Sequence, residues 1–202
     1  MPTSTEICNL ALSHDGVGKD IADLDTEKSA NASACRRFYQ PAVDEVFRDF
    51  NWPFANNFVA LGLVTTSPNT DWGYSYTYPS DCRRIIKILS GVRNDSRESR
   101  VSYELAYGSS GTEIFTDRVN AWIKYNQIIT DPGRFPPDFV MMLSLLLAAY
   151  IAPRVTAGDP FKLGERAFNL YLSSKKKSEA NSFNEQQDDK PTEAESISSR
   201  ET

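Results

Sequence analysis

The sequence predicts an α+β fold: a four-helix bundle with an inserted antiparallel β-region and a disordered or extended C-terminal tail. Three observations carry this expectation. Apolar residues recur at helical spacing up to Phe50 and again after Pro136. Between Phe58 and Ile129 that period gives way to short β-branched and aromatic runs broken by Pro, Gly, Asn and Asp. After Asn184 the only large apolar residue is Ile197, so that segment cannot bury enough surface to offset its ordering entropy. The expected division is residues 1–57 for the N-terminal helices, 58–135 for the β-region, 136–183 for the C-terminal helices and 184–202 for the polar acidic tail.

The first helix is expected to begin near Thr3. Thr3 and Glu6 have the spacing of a capping box, in which each side chain satisfies a backbone N–H left open by the helix start. Ile7, Leu10, Ala11 and His14 follow at helical spacing, and Gly16 suits the left-handed residue that ends a helix. His14 is expected to be a satisfied, half-buried histidine, because no nucleophile pattern accompanies it.

A second helix is expected from about Thr26 to Phe50. One stripe is Ala30, Ala34 and Phe38; the adjacent one is Cys35, Tyr39, Val43, Val46 and Phe50. Pro41 should bend or split it, since proline removes a backbone hydrogen bond. The opposite face, with Arg36, Arg37, Asp44, Glu45 and Arg48, reads as solvated or subunit-facing.

Five strands are expected in the β-region: Phe58 to Thr66, Arg84 to Leu89, Val101 to Tyr107, Thr112 to Thr116 and Ala121 to Ile129. Turn signals at Asn94-Asp95, Gly108-Ser109-Ser110-Gly111 and Asp117 to Asn120 separate them. Val101, Tyr103, Leu105 and Tyr107 alternate with Ser102, Glu104 and Ala106, which predicts one buried and one wet face. Pro136-Pro137-Asp138 then opens a third helix with its prolines where no N–H partner is lost. The stretch from Phe139 to Ala152 is apolar nearly all round, as a central core helix is. Gly158-Asp159-Pro160 breaks it, and a fourth helix carries Phe168 and Tyr171 with Lys175-Lys176-Lys177 near its end. Lysines so placed complement the helix dipole. Leu146 and Phe38 are both expected in the core.

A chain of 202 residues can build one ordinary core, and 40% apolar with 24% charged residues is a soluble globular balance. The net charge is −5, of which the segment from Asn184 onward carries −4. A nearly neutral body gives no strong electrostatic footprint for nucleic acid or an anionic membrane. Cys8, Cys35 and Cys82 form no CxxC pair and read as buried free thiols, and one histidine cannot build a His-rich metal site. No Walker loop, GxGxxG, GxSxG or HExxH occurs. Neither catalysis nor a cofactor is therefore expected, and no membrane partner. The start of the chain lacks a signal-peptide pattern, and its most hydrophobic stretch falls short of a membrane span.

The run Trp72, Tyr74, Tyr76 and Tyr78 alternates with small residues, so in a strand all four would share one side. That side could pack on its own sheet or on a neighbouring subunit. It could also stack bases, making a non-enzymatic single-stranded nucleic-acid-binding module the alternative function. A third reading is a scaffold bundle within a host complex.

Several segments, in order, resemble the head-to-tail adaptor (tail tubular protein A) family of short-tailed bacteriophages. They are Ile7 to Leu12 with Gly16 and Ile21, then Ala34 to Tyr39 with Asp44-Glu45-Val46 and Phe50 to Ala55. Tyr74 to Tyr78 with Pro79 to Ile85 follows. The last is Pro136 to Phe139 leading to Leu146-Leu147-Ala148 and Thr156 to Asp159. Asp15, where an apolar residue would be expected, and the long polar tail depart from the pattern.

The resemblance implies a virion structural protein of the tail or neck, assembled in the host cytoplasm. It would form a homo-oligomeric ring of about twelve copies. Its partners would be the portal protein and the tail nozzle protein, with viral DNA passing through the channel without specific binding. Trp72, Tyr74, Tyr76 and Tyr78 are the expected β-region interface. In the tail, Ile197 is the expected apolar anchor, with Asp188, Asp189, Glu193 and Glu195 facing basic groups on the portal or an adjacent adaptor.

Overall fold

Helix α1 (Ser4–His14) starts at the expected capping box: Thr3 Oγ1 accepts from the Glu6 N–H at 3.1 Å, and Glu6 returns a carboxylate to the Thr3 N–H at 2.8 Å. The computed structural model describes residues 2–92, 100–108 and 111–185, with side chains through Asn181. Helix α2 (Ala30–Asp49) is capped by the Ser29 hydroxyl and runs without interruption through Pro41. The proline does not split it. After a short turn at Pro53–Ala55, seven strands follow, and then helices α3 (Pro137–Val155) and α4 (Leu163–Glu185).

The chain is α+β, but its helices do not form the expected four-helix bundle. Helix α3 packs closely against α1, α2 and α4, whereas α1 and α2 meet each other more sparingly, around Cys8 and Cys35. The reason lies in the distribution of apolar surface. A bundle needs every helix to turn one stripe toward a shared axis. Here α3 is apolar all round and is itself that axis: eleven of its residues are buried, from Phe139 to Ala152. Each of the other helices covers one side of it. By length and hydropathy α3 could cross a bilayer, yet it lies inside this helical layer.

The β-region also differs from a single five-stranded layer. Strands β1 (Asn56–Ala60), β4 (Cys82–Ile88) and β7 (Trp122–Gln127) form one antiparallel sheet in the order β1-β7-β4. Strands β2 (Leu63–Thr66), β3 (Tyr74–Thr77), β5 (Glu104–Gly108) and β6 (Gly111–Thr116) form a second, in the order β2-β3-β6-β5. The one strand expected over 58–66 is divided at Leu61-Gly62, where the chain passes between sheets. Leu61 donates its N–H to Ala121 O at 2.9 Å, and Gly62 O accepts from the Thr77 N–H at 2.9 Å. A shared apolar cluster joins the sheets, with Ile85, Ile88 and Ile123 from the first and Tyr76 and Ile114 from the second. The expected turn at Asn94-Asp95, and Ser109-Ser110 of the β5–β6 turn, lie outside the described residues.

The β5–β6 hairpin contains a close approach that only glycine permits. A Cβ at Gly108 would stand 2.2 Å from the carboxyl carbon of Glu113. That carboxylate cannot simply swing away, because Glu113 is buried and accepts a hydrogen bond from the buried Ser75 hydroxyl. Gly108→Ala should therefore cost about 1–3 kcal/mol, as overpacking does. A urea midpoint equal to the parent's would show that the carboxylate has room to move.

The helical layer and the sheets are tied at the end of α2. Asn126 Nδ2 donates to Phe50 O at 2.7 Å, Arg83 pairs with Asp44 at 2.9 Å, and Arg84 donates to Asp49 O at 3.1 Å. The core beside this joint is aromatic, with Phe47, Trp52 and Phe139 fully enclosed. Leu146 is buried as expected. Phe38 is only half-buried, its ring 6.1 Å from that of Tyr150 at the rim of the core.

Candidate assembly surfaces

The alternating aromatic run is largely spent inside the molecule. Strand β3 is an interior strand, between β2 and β6. Tyr76 is buried in the shared cluster and donates its hydroxyl to Arg118 O at 2.8 Å. Tyr74 and Tyr78 pack against the same cluster, half-buried. Trp72 precedes the strand, and its indole N–H donates to Glu104 on β5 at 2.9 Å. The four aromatics thus do not stand together as one exposed face. The tail residues Asp188, Asp189, Glu193, Glu195 and Ile197 lie outside the described residues.

The charged face of α2 does internal work. Besides the Asp44 pair with Arg83, Glu45 accepts a hydrogen bond from the Tyr150 hydroxyl, and Arg36 donates to Glu27 O at 2.7 Å. Asp49, which local pattern does not single out, holds α4 to α2. Its Oδ2 accepts from Tyr171 Oη at 2.9 Å and from Lys175 Nζ at 2.6 Å. Burial and the hydrogen bond to Asp49 push the Tyr171 hydroxyl pKa up, so the phenol stays a donor. Lys175 is therefore not a free member of the lysine run, and α4 continues well past it.

Two polar groups of low exposure lie at the C-terminal end of α1. His14 is half-buried with Nε2 3.2 Å from Ser144 Oγ, and burial lowers its pKa, as suits a satisfied neutral histidine. Asp15 is the less comfortable neighbour. It is 2% exposed, and neither carboxylate oxygen has a hydrogen-bond partner within the protein. Burial, and then the charge of Asp159, push its pKa up to about 7. The three cysteines are free and buried, and the Cys8 thiol is pushed up by its hydrogen bond with Cys35 and by burial. Among the described residues no three His, Cys, Asp or Glu side chains converge as metal ligands.

The surface instead shows exposed apolar side chains in several places, among them α4 and the outer strands of the four-stranded sheet. On α4 and just before it, Phe161, Phe168 and Leu172 are 81%, 42% and 41% exposed. On the two outer strands of the four-stranded sheet, Leu63 of β2 and Leu105 and Tyr107 of β5 are exposed, Tyr107 to 88%. Leu105 and Tyr107 sit on the face expected to be buried. Alternation reveals which residues share a side of a strand, but not whether anything covers that side. Compared with known proteins, the chain matches no family model and no curated protein.

Proposed function

We propose that this chain is a virion structural protein, a head-to-tail adaptor that forms a ring between a portal protein and a tail nozzle and surrounds the path of ejected DNA. Its role is assembly, without catalysis. The observation that carries this reading is the set of ordered segments resembling the adaptor family, which run through nearly the whole body of the chain. Two features support it. Large apolar side chains stand exposed at α4 and at both outer strands of one sheet, the kind of surface that a protein partner covers. The net charge of the body, nearly neutral, would let DNA slide past without the salt-dependent affinity that fixed phosphate contacts bring.

Native mass spectrometry of the purified chain tests the reading. A closed oligomer of many copies is expected, with little mobility shift of short single-stranded DNA at low salt. A strict monomer that shifts such DNA at micromolar concentration would contradict it and favour the nucleic-acid-binding alternative.

A further inference from the structure

We propose that copies of this chain join by strand pairing, β2 of one copy lying beside β5 of the next, so that the four-stranded sheet continues from subunit to subunit. This rests on the ring reading above and names the surface that would build the ring. Among the described residues β2 pairs with β3 alone and β5 with β6 alone, leaving each an outer edge. Such an edge carries backbone donors and acceptors able to template another strand.

Three properties make the two edges fit each other. The first is direction. All three pairings within the sheet are antiparallel, so β2 and β5 run opposite ways. A copy presenting β2 to β5 in the same orientation therefore continues the antiparallel alternation without a break.

The second property is charge. Leu63-Val64-Thr65-Thr66 carries none, and neither strand contains the Lys or Pro that commonly blocks edge pairing. The one acid of β5, Glu104, is already engaged by the Trp72 indole. The third is apolar area. Leu63 at 55% exposure on one edge, and Leu105 at 47% with Tyr107 at 88% on the other, would be covered by each other. A bulge between Leu63 and Thr65 leaves Thr65 and Thr66 as the regular stretch of β2 offered for pairing.

Because the two edges are different surfaces, the contact is heterologous. Repeated, it closes into a ring or runs on as a filament. A two-fold pairing of β5 with its own copy would also be antiparallel, but it would stop at two chains and leave β2 uncovered.

Two blocked variants separate these cases: Thr65→Lys on β2 and Tyr107→Lys on β5, both at exposed positions where folding should not suffer. Melting temperatures close to the parent's would establish that both fold. Each variant alone should be monomeric at about ten times the concentration at which the parent assembles. Mixed together they should form a dimer and nothing larger, since only the intact β5 of one and the intact β2 of the other can meet.

Rings from both variants would overturn the strand pairing while leaving the adaptor reading in place. Dimers of Thr65→Lys alone, with no mixed dimer, would replace it by the two-fold contact. A parent that stays monomeric throughout would overturn both the pairing and the ring.

Discussion

Phe139→Ala is expected to destabilise the fold by about 3–5 kcal/mol, the range for removing a fully buried aromatic ring. Phe139 has no exposed surface, and four rings surround it: Phe135 at 4.8 Å, Phe47 and Phe54 at 5.1 Å, and Trp52 at 5.2 Å between centroids. Phe47 comes from the end of α2, Trp52 and Phe54 from the turn after it, and Phe135 from the connection just before α3. The hole left by alanine cannot close without moving all of them. Trp52 is itself fixed, its indole N–H donating to Val46 O at 2.7 Å, so it cannot tilt inward cheaply. Urea denaturation measures the loss. Phe161→Ala is the contrast, since that ring is 81% exposed and its removal should change stability by no more than about 0.5 kcal/mol. Equal losses for the two variants would mean that the core does not centre on α3.

Asp15→Asn should stabilise the protein, and by more as the pH rises. The folded chain retains a proton on Asp15 up to about pH 7, whereas the unfolded chain releases it near the ordinary 3.8. Between those values the folded state binds more protons than the unfolded state. Stability contributed by Asp15 therefore falls as the pH climbs from about 4 to about 7, and stays low above that. A difference of this size corresponds to about 4 kcal/mol at full ionisation. Asparagine keeps the shape and removes the titration. The gap between variant and parent should open from pH 4 to pH 7 and then stay constant. The neighbouring charge reinforces this sign, because Asp159 adds like charge to the effect of burial. Parallel stability curves for the two proteins across pH 4–8 would contradict the assignment.

Local signals in the chain were informative where local physics decides the outcome. The Thr3–Glu6 capping box, the helix opening at Pro137 and the all-round apolarity of Phe139 to Ala152 each rest on neighbours within a turn or two. Asp15, noted as a departure from the adaptor pattern, is buried without a hydrogen-bond partner within the protein. What was not legible depends on long-range placement. The central place of the third helix was legible, but that the other three would pack around it and not form a four-helix bundle is a choice that no single stripe displays. Asp49 meets Tyr171 and Lys175 across more than a hundred residues, and nothing near Asp49 announces it.

The strand carrying Leu105 and Tyr107 illustrates the same limit. Its alternation was visible and its place at the edge of a sheet was not, so a face that should have been buried is open. Likewise the aromatic alternation around Tyr76 was real, but sheet order decides whether such a face meets a partner or its own core. Gly62 was the missed cue to the two-sheet arrangement, a small residue inside an apparent strand, where a break or bend is common.

The central claim is that this fold is a subunit of a closed ring with an open centre. Negative-stain electron microscopy of the purified, concentrated chain tests it most directly. The expected images are closed rings of uniform diameter around an empty centre, lost in Thr65→Lys and Tyr107→Lys. Uniform single subunits, or open filaments of indefinite length, would contradict the account.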